Sequence, residues 1–334
     1  MLVSRVVNVR AAWFLLPVVL FVALVVGQMQ SARVPTRAHW AEATERVRAG
    51  RTPTDAVLWA PYSQGEGRIF FEGLNAQHAE LETADLARWD TVWLFTSHGR
   101  SAADLTWPHT VTDTGHFGPL TVERLVVGGE RVVGDLYAGL EKTRVRRIDT
   151  PGNETVCGFW SGRGWHCTLR DAPETTRRCL GAPTAQRLAR REKDPECGLD
   201  PLLHVSRDVR LIGDLPRRCV WIHPVQGQRV LIDWPEAVAA QVLQIDVGFS
   251  DPMVADNYKR QLKVKPARIR TLRSDVELET FEVPAEKGWH RQRIELPEGA
   301  APLTFEVSAA FTADAHLCFD PTLRAARAEG GKTP

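Results

Sequence analysis

Lysine is scarce in this chain and absent before Lys142, while arginine is abundant. The bias is uniform, so it reads as the mark of a GC-rich genome and not as a phosphate-binding patch. Net charge is lacking too. Lys and Arg number 42 against 41 Asp and Glu, a formal +1, so no global field draws the molecule to nucleic acid. No Cys-x-x-Cys spacing occurs, which removes the strongest zinc signature. No dense Asp-x-Asp loop marks a calcium site. No nucleophile, base and orienting group stand at a recognisable spacing. These absences put binding ahead of catalysis, with no cofactor and no metal called for.

What the chain does have is one long uncharged run, residues 11–32. As a helix it reaches about 33 Å, enough for a hydrocarbon core of about 30 Å. Residues 1–32 are therefore read as a signal anchor, a single N-terminal membrane span. Its apolar centre also fits a secretory signal, with Arg5 and Arg10 as the basic start and Gly27 before a cleavage point. Orientation is contested. Arg33, Arg37, Arg46, Arg48 and Arg51 follow the run, which favours the cytoplasm for the rest. Six cysteines, all beyond residue 150, favour disulfides and an oxidising compartment. The cysteines decide the reading: cell membrane, with the bulk of the chain extracytoplasmic, periplasmic or extracellular.

The expected fold class is α+β: the transmembrane helix, a small α/β layered domain over 34–130, a cysteine-bearing connecting region over 131–207, an antiparallel β-sandwich over 208–320 and a disordered tail over 321–334. In the first domain a helix is predicted over 39–50, where Trp40, Ala43 and Val47 share a face and Gly50 ends it. Apolar strands are predicted over 56–60, 91–95 and 120–127, and a second helix over 68–74. Gly65 and Gly67 follow a strand as a dinucleotide loop would, but Phe70 stands where the third glycine belongs. His98 and Arg100 leave the carboxyl end of a strand, where α/β sheets place ligands. A plain polar loop is the competing reading.

In the connecting region a helix over 132–141 and an extended segment over 144–148 precede Cys157. Residues 157–167 read as a hairpin about a Ser-Gly-Arg-Gly turn. Facing cysteines on such a ladder can be bridged, so Cys157 is paired with Cys167, and Cys179 with Cys197. The zinc alternative uses Cys157, His166, Cys167 and Cys179. Trp160 and Trp165 beside the turn can stack on a sugar ring, or pack on a neighbouring surface.

From 208 onward the hydrophobic period is two. Strands are predicted over 219–223, 229–233, 241–249, 276–283, 291–296, 303–307 and 316–319, and Leu262 and Val264 alternate with lysines. Short strands separated by Pro, Gly and Asp indicate a sandwich, specifically a jelly roll whose first and last strands are adjacent. That adjacency pairs Cys219 with Cys318. Asp251, Asp256 and Asp320 are calcium candidates, better read as turn formers. The run from Gly288 to Leu296 resembles the strand of sugar-binding jelly rolls in which a tryptophan, here Trp289, precedes an apolar strand.

A second resemblance covers residues 11–130. The apolar helix with its linker, HWAEATERVRAGRTPTDAVLWAPYSQGEGRIFFEGL and DTVWLFTSHGR look like the extracytoplasmic C-terminal part of multi-spanning, lipid-linked glycosyltransferases of the protein mannosyltransferase and aminoarabinose transferase type. The family transfers sugars from polyprenyl-phosphate donors, using acidic residues in a loop after its first membrane helix. Nothing in these residues corresponds to that loop, so no catalytic residue carries over. The resemblance implies topology and neighbourhood. Three functions are weighed for the chain as a whole: a non-catalytic envelope protein recognising a glycan or protein, an accessory or degenerate glycosyltransferase beside a polytopic membrane enzyme, and, ranked last, an independent hydrolase centred on His98.

Overall fold

A computed structural model of the chain describes residues 34–60, 65–148, 154–167, 204–224, 227–235, 239–261, 265–309 and 316–327, together with Val19 and Phe21. The chain divides into two compact units, Met1–Gly129 and Glu130–Pro334. Apart from Val19 and Phe21, the expected anchor lies outside the described residues, as do Cys179, Cys197, Leu262 and Val264. Among the described residues no helix is long and apolar enough to cross a membrane.

In the first unit Thr36 caps helix α1 (Arg37–Gly50). Its hydroxyl accepts from the His39 amide at 3.4 Å, and the His39 ring accepts from the Thr36 amide at 3.2 Å. Strands β1 (Ala56–Trp59), β2 (Gln77–His78), β3 (Thr91–Ser97), β4 (His109–Phe117) and β5 (Leu120–Val127) form one sheet in the order β2-β1-β3-β5-β4. β2, β1 and β3 are parallel, and β5 and β4 complete the sheet antiparallel. Trp40, Ala43 and Val47 of α1 bury one face against Val57, Trp59, Trp93 and Phe95. Leu81, Leu86, Ala102 and Leu105 from the connections cover Leu58, Val92, Leu94 and Leu125 on the other. Two covered faces explain why β1 and β3 read as continuous apolar runs.

The helix predicted over 68–74 is instead a 3₁₀ turn, Gly65–Phe70. Two glycines disfavour an α-helix there, and a Cβ on Gly67 would lie 2.8 Å from the Trp40 ring. β4 was not anticipated, because its Thr-rich sequence is largely exposed and carries no apolar alternation.

The second unit begins with β6 (Glu130–Asp135), the one-turn helix α2 (Leu136–Gly139) and a 3₁₀ turn, Leu140–Lys142. This replaces the helix expected over 132–141. Val132 and Val133 favour a strand, and the Asp135 carboxylate then caps α2 at the Ala138 amide, 3.2 Å away. Next come β7 (Arg144–Ile148), β8 (Glu154–Val156), β9 (Phe159–Trp160), β10 (Gly164–His166), β11 (His204–Ile212), β12 (Leu215–Ile222), β13 (Arg229–Trp234) and β14 (Val242–Phe249). Helix α3 (Asp251–Lys259), also unanticipated, precedes β15 (Ala267–Arg273), β16 (Val276–Val283), β17 (His290–Glu295), β18 (Leu303–Ala309) and β19 (Leu317–Ala326).

These strands make two antiparallel sheets. The eight-stranded sheet runs β17-β14-β19-β12-β11-β10-β9, with β6 also on β19, and the six-stranded sheet runs β16-β15-β18-β13-β7-β8. Val220, Ile245, Val247 and Phe319 of the first sheet share one core with Val230, Ile232, Ile269 and Phe305 of the second. Phe305 and Phe319 meet edge to face across it, centroids 5.1 Å apart. Each such fully buried side chain contributes about 1.5–3 kcal/mol of transfer free energy. The result is the layered sandwich of a jelly roll, with β12 beside β19.

Two disulfides form as the sequence pairs them: Cys157–Cys167 with Cα atoms 4.0 Å apart, and Cys219–Cys318 at 5.4 Å. The assignment of 131–207 to a connector needs correction. β6, β7, β8, β9 and β10 are strands of the sandwich sheets themselves, because their apolar residues, Val145 among them, complete its core. The tail expected from 321 needs correction over its first residues, since β19 continues to Ala326, held by Thr322↔Asp135 and Ala326↔Glu130 pairing with β6.

Candidate functional site

The hairpin of β9 and β10 is closed at its base by Cys157–Cys167. Its turn is tied by Ser161, whose amide donates to the Gly164 carbonyl at 3.0 Å and whose hydroxyl lies 3.0 Å from His166 Nε2. Gly162 supplies the turn's positive φ of 82°. Gly164 is required by contact: a Cβ there would lie 2.6 Å from the Val205 carbonyl oxygen.

Trp160 and Trp165 are cross-strand partners with ring centroids 5.4 Å apart and a tilt of 54°. Trp165 pairs in turn with Val205, and Val205 with Ile222. The aromatic pair therefore continues the inward-facing row of the eight-stranded sheet out to its edge, where both rings are half-buried. The Trp165 indole N–H donates to the Leu140 carbonyl at 2.8 Å. Arg207, two residues from Val205 on the same face, sets its guanidinium 5.3 Å from the Trp160 ring centre. It also donates to the carbonyls of Tyr137 at 2.7 Å and Ala138 at 2.5 Å, which lack helical donors at the end of α2. Glu141 pairs with it at 3.8 Å. The hairpin thus presents aromatic surface fixed in place, beside charged groups of both signs.

The remaining predicted residues lie elsewhere. Trp289 packs with Ile212 against Cys219–Cys318, on the opposite face of the same sheet, so it shares no site with the tryptophan pair. His98 and Arg100 belong to the first unit and to a tight turn there. The Arg100 amide donates to the Ser97 carbonyl at 3.1 Å, His98 and Gly99 have φ of 58° and 75°, and His98 Nδ1 lies 2.9 Å from Ser97 Oγ. Arg100 is bonded to Glu82 and lies 3.6 Å from Asp104. The Glu82 hydrogen bond, ahead of an opposing desolvation and the nearby negative charges, holds its guanidinium protonated more firmly than usual.

Asp251, Asp256 and Asp320 do not converge through their observed roles. Asp251 accepts from the Gly213 and Asp214 amides at 2.9 and 2.6 Å, Asp256 pairs with Arg260 at 3.2 Å, and Asp320 opposes Asp246 across β14 and β19. The Cys157–Cys167 disulfide occupies two of the sulfurs that the zinc alternative requires.

Two features escaped the sequence reading. Arg207 joins the tryptophan pair from a distant element, and the one sequence signal for it is its period-two spacing from Val205. The other is a buried polar row on the outer side of the eight-stranded sheet. Arg291 donates to Asp246 at 2.8 Å, Gln244 to Asp246 at 2.7 Å and Arg293 to Glu130 at 2.6 Å.

No protein-family model matches the chain, and no curated protein matches it in sequence. Among solved structures it is similar to tandem family 51 carbohydrate-binding modules of a family 98 glycoside hydrolase from Streptococcus pneumoniae, at 10% identity over 39% of each chain and a TM-score of 0.29. It is also similar to a family 51 module from Clostridium perfringens, solved with methyl-galactose, at 12% identity over 36% of this chain and 72% of that one, TM-score 0.25. A family 27 carbohydrate-binding module with specific mannan recognition aligns at 12% identity over 37% and 80% of the two chains, TM-score 0.25. The chain spans 39% of the length of the first of these, and no functional residue is transferred from any of them.

Proposed function

We propose that this is a membrane-anchored, extracytoplasmic, non-catalytic protein whose β-sandwich recognises a glycan at the cell envelope. One observation carries the reading: a half-exposed tryptophan pair, Trp160 and Trp165, held in a disulfide-closed hairpin with Arg207 against one ring. Sugar rings stack their apolar faces on such rings and hydrogen-bond to adjacent charged groups, while a preformed site avoids ordering costs on binding. The disulfides support an oxidising compartment, and the uncharged run over 11–32 supports the anchor.

The full chain in detergent, screened on a glycan array and titrated by tryptophan fluorescence, tests this. Saturable binding that Trp160→Ala weakens about tenfold or more, at an unchanged melting temperature, is the expected result. Absence of binding to every glycan sinks it. Stable co-purification with a polytopic glycosyltransferase, without glycan binding, favours the accessory role instead.

A further inference from the structure

A different cluster lies at one end of the eight-stranded sheet, on the face away from the tryptophan pair. Ile222 of β12 pairs with Leu317 of β19, and both side chains enter the core. Alternation therefore sends Trp221 and His223, on either side of Ile222, to the outer face, together with His316 and Cys318 on either side of Leu317. The His223 and His316 rings meet there, with centroids 5.5 Å apart and planes inclined at 66°. Both lie against the Trp221 ring, at 6.1 Å and 5.4 Å. His223 is buried, and His316 is half-buried and within reach of ions from solvent.

Histidine is concentrated at this level of the sheet. His166 of β10 pairs with His204 of β11, and the next residue, Val205, pairs with Ile222. Backbone register thus puts four of the chain's ten histidines, His166, His204, His223 and His316, at one level across four neighbouring strands. The described pair is firmly mounted. The Cys219–Cys318 disulfide ties the same two strands, and the Ser250 amide donates to the His316 carbonyl at 3.0 Å. Arg210, whose guanidinium lies 5.6 Å from the Trp221 ring centre, is paired with Asp208 at 2.5 Å, so its charge is offset beside the imidazoles.

Packing alone does not call for imidazole here, since a phenyl ring fills such a space without polar atoms to satisfy. Two imidazoles that each give one nitrogen to a tetrahedral ion at about 2.0–2.1 Å bring their ring centres about 5 Å apart, close to the spacing found. We infer that His223 and His316 chelate a divalent transition-metal ion of the zinc or copper kind, for which imidazole nitrogen is a preferred ligand. Among the described residues no group of three ligating side chains gathers, so the ion keeps positions open to water. The inference does not depend on glycan recognition, which uses the other face.

The full chain in detergent, titrated by calorimetry with Zn²⁺ and Cu²⁺, tests it, with the oxygen-seeking Ca²⁺ and Mg²⁺ as controls. Zn²⁺ is expected to bind and to raise the melting temperature of the second unit, and the EPR spectrum of the Cu²⁺ form should show two imidazole nitrogens. His316→Phe keeps a ring against Trp221 and removes one ligand. It should leave the metal-free melting temperature unchanged and weaken Zn²⁺ binding about tenfold or more, since even the outer partners of a metal ligand change affinity by that much. His223→Gln, which gives up the ring as well, should weaken Zn²⁺ binding by a similar factor. Zn²⁺ affinity that survives both substitutions overturns the inference, and so does a failure of the parent chain to bind either Zn²⁺ or Cu²⁺.

Discussion

Cys219 and Cys318 join β12 to β19, Cys219 standing two residues along β12 from Trp221, the ladder partner of Cys318, with Cα atoms 5.4 Å apart. The bond closes a sequence separation of 99 residues onto a contact that the sheet already makes. Its stabilising action therefore falls chiefly on the unfolded chain, to which it denies loop entropy.

Replacing both Cys219 and Cys318 by Ser should cost about 2–5 kcal/mol of stability, read as a lowered melting temperature of the second unit. The shorter Cys157–Cys167 link, with a separation of 10, should cost less by the same loop argument. The opposite ranking would contradict the account of where each bond acts.

Trp165→Phe removes the indole donor from the Leu140 carbonyl while keeping aromatic bulk. A loss of about 1 kcal/mol in denaturant unfolding is expected, together with a change in fluorescence as its partner Trp160 gains freedom. An unchanged stability would show that this hydrogen bond is replaced by water at no cost.

Asp55, buried beside β1, accepts from the Thr52 hydroxyl at 2.6 Å and amide at 3.2 Å, and from the Trp93 indole at 3.1 Å. Desolvation raises its carboxyl pKa, but the Thr52 and Trp93 hydrogen bonds and the Arg124 charge together hold it below the ordinary 3.8. The depressed folded value means that this stabilisation is present above about pH 4 and disappears as acid takes the group through its folded pKa. Asp55→Asn should cost about 1–3 kcal/mol at neutral pH and flatten the acid limb of the melting profile for the first unit. A variant with the same acid limb as the parent would refute the assignment.

Arg146 makes a two-pronged pair with Asp233, 2.8 Å at each contact, and Asp233 also accepts from Thr304 at 3.0 Å. The Asp233 hydrogen bond, outweighing desolvation, makes the guanidinium harder to deprotonate. These bonds link β7, β13 and β18 across the six-stranded sheet. Asp233→Ala should destabilise by about 1–3 kcal/mol by leaving a half-buried arginine short of acceptors. The loss should exceed that of Arg46→Ala, because the Arg46–Asp113 side chains are 42% and 38% exposed against 20% and 25% for Arg146 and Asp233. Urea unfolding of the two variants makes the comparison.

The pattern of residues 241–249 shows how far periodicity reaches. Alternation puts Leu243, Ile245, Val247 and Phe249 on one face, and that face lies in the core. The same pattern implied that the intervening Gln244 and Asp246 face solvent, yet both are buried. Alternation reports which side chains are apolar; it does not report what approaches the polar face. Arg291 and Arg293 come from β17, nearly fifty positions away, and Glu130 from β6. Those partners exist only after the strands are ordered.

α3 was missed for a related reason. Its sequence is polar, with only Asp251, Met253 and Asn257 buried, and its start is fixed by Asp251 accepting from the Gly213 and Asp214 amides of another hairpin.

Local chemistry by itself determined the alternating strands of the sandwich, the apolar strands of the first unit and the Cys157–Cys167 hairpin, because those signals lie within a few neighbouring residues. The Cys219–Cys318 pairing followed from one topological assumption about first and last strands. Tertiary structure alone decided that residues 131–207 contribute strands to the sandwich, and that Arg207 comes to lie against Trp160. Side chains from separate elements acquire a common surface only when sheet order and register are set, and that order is a property of the packed core.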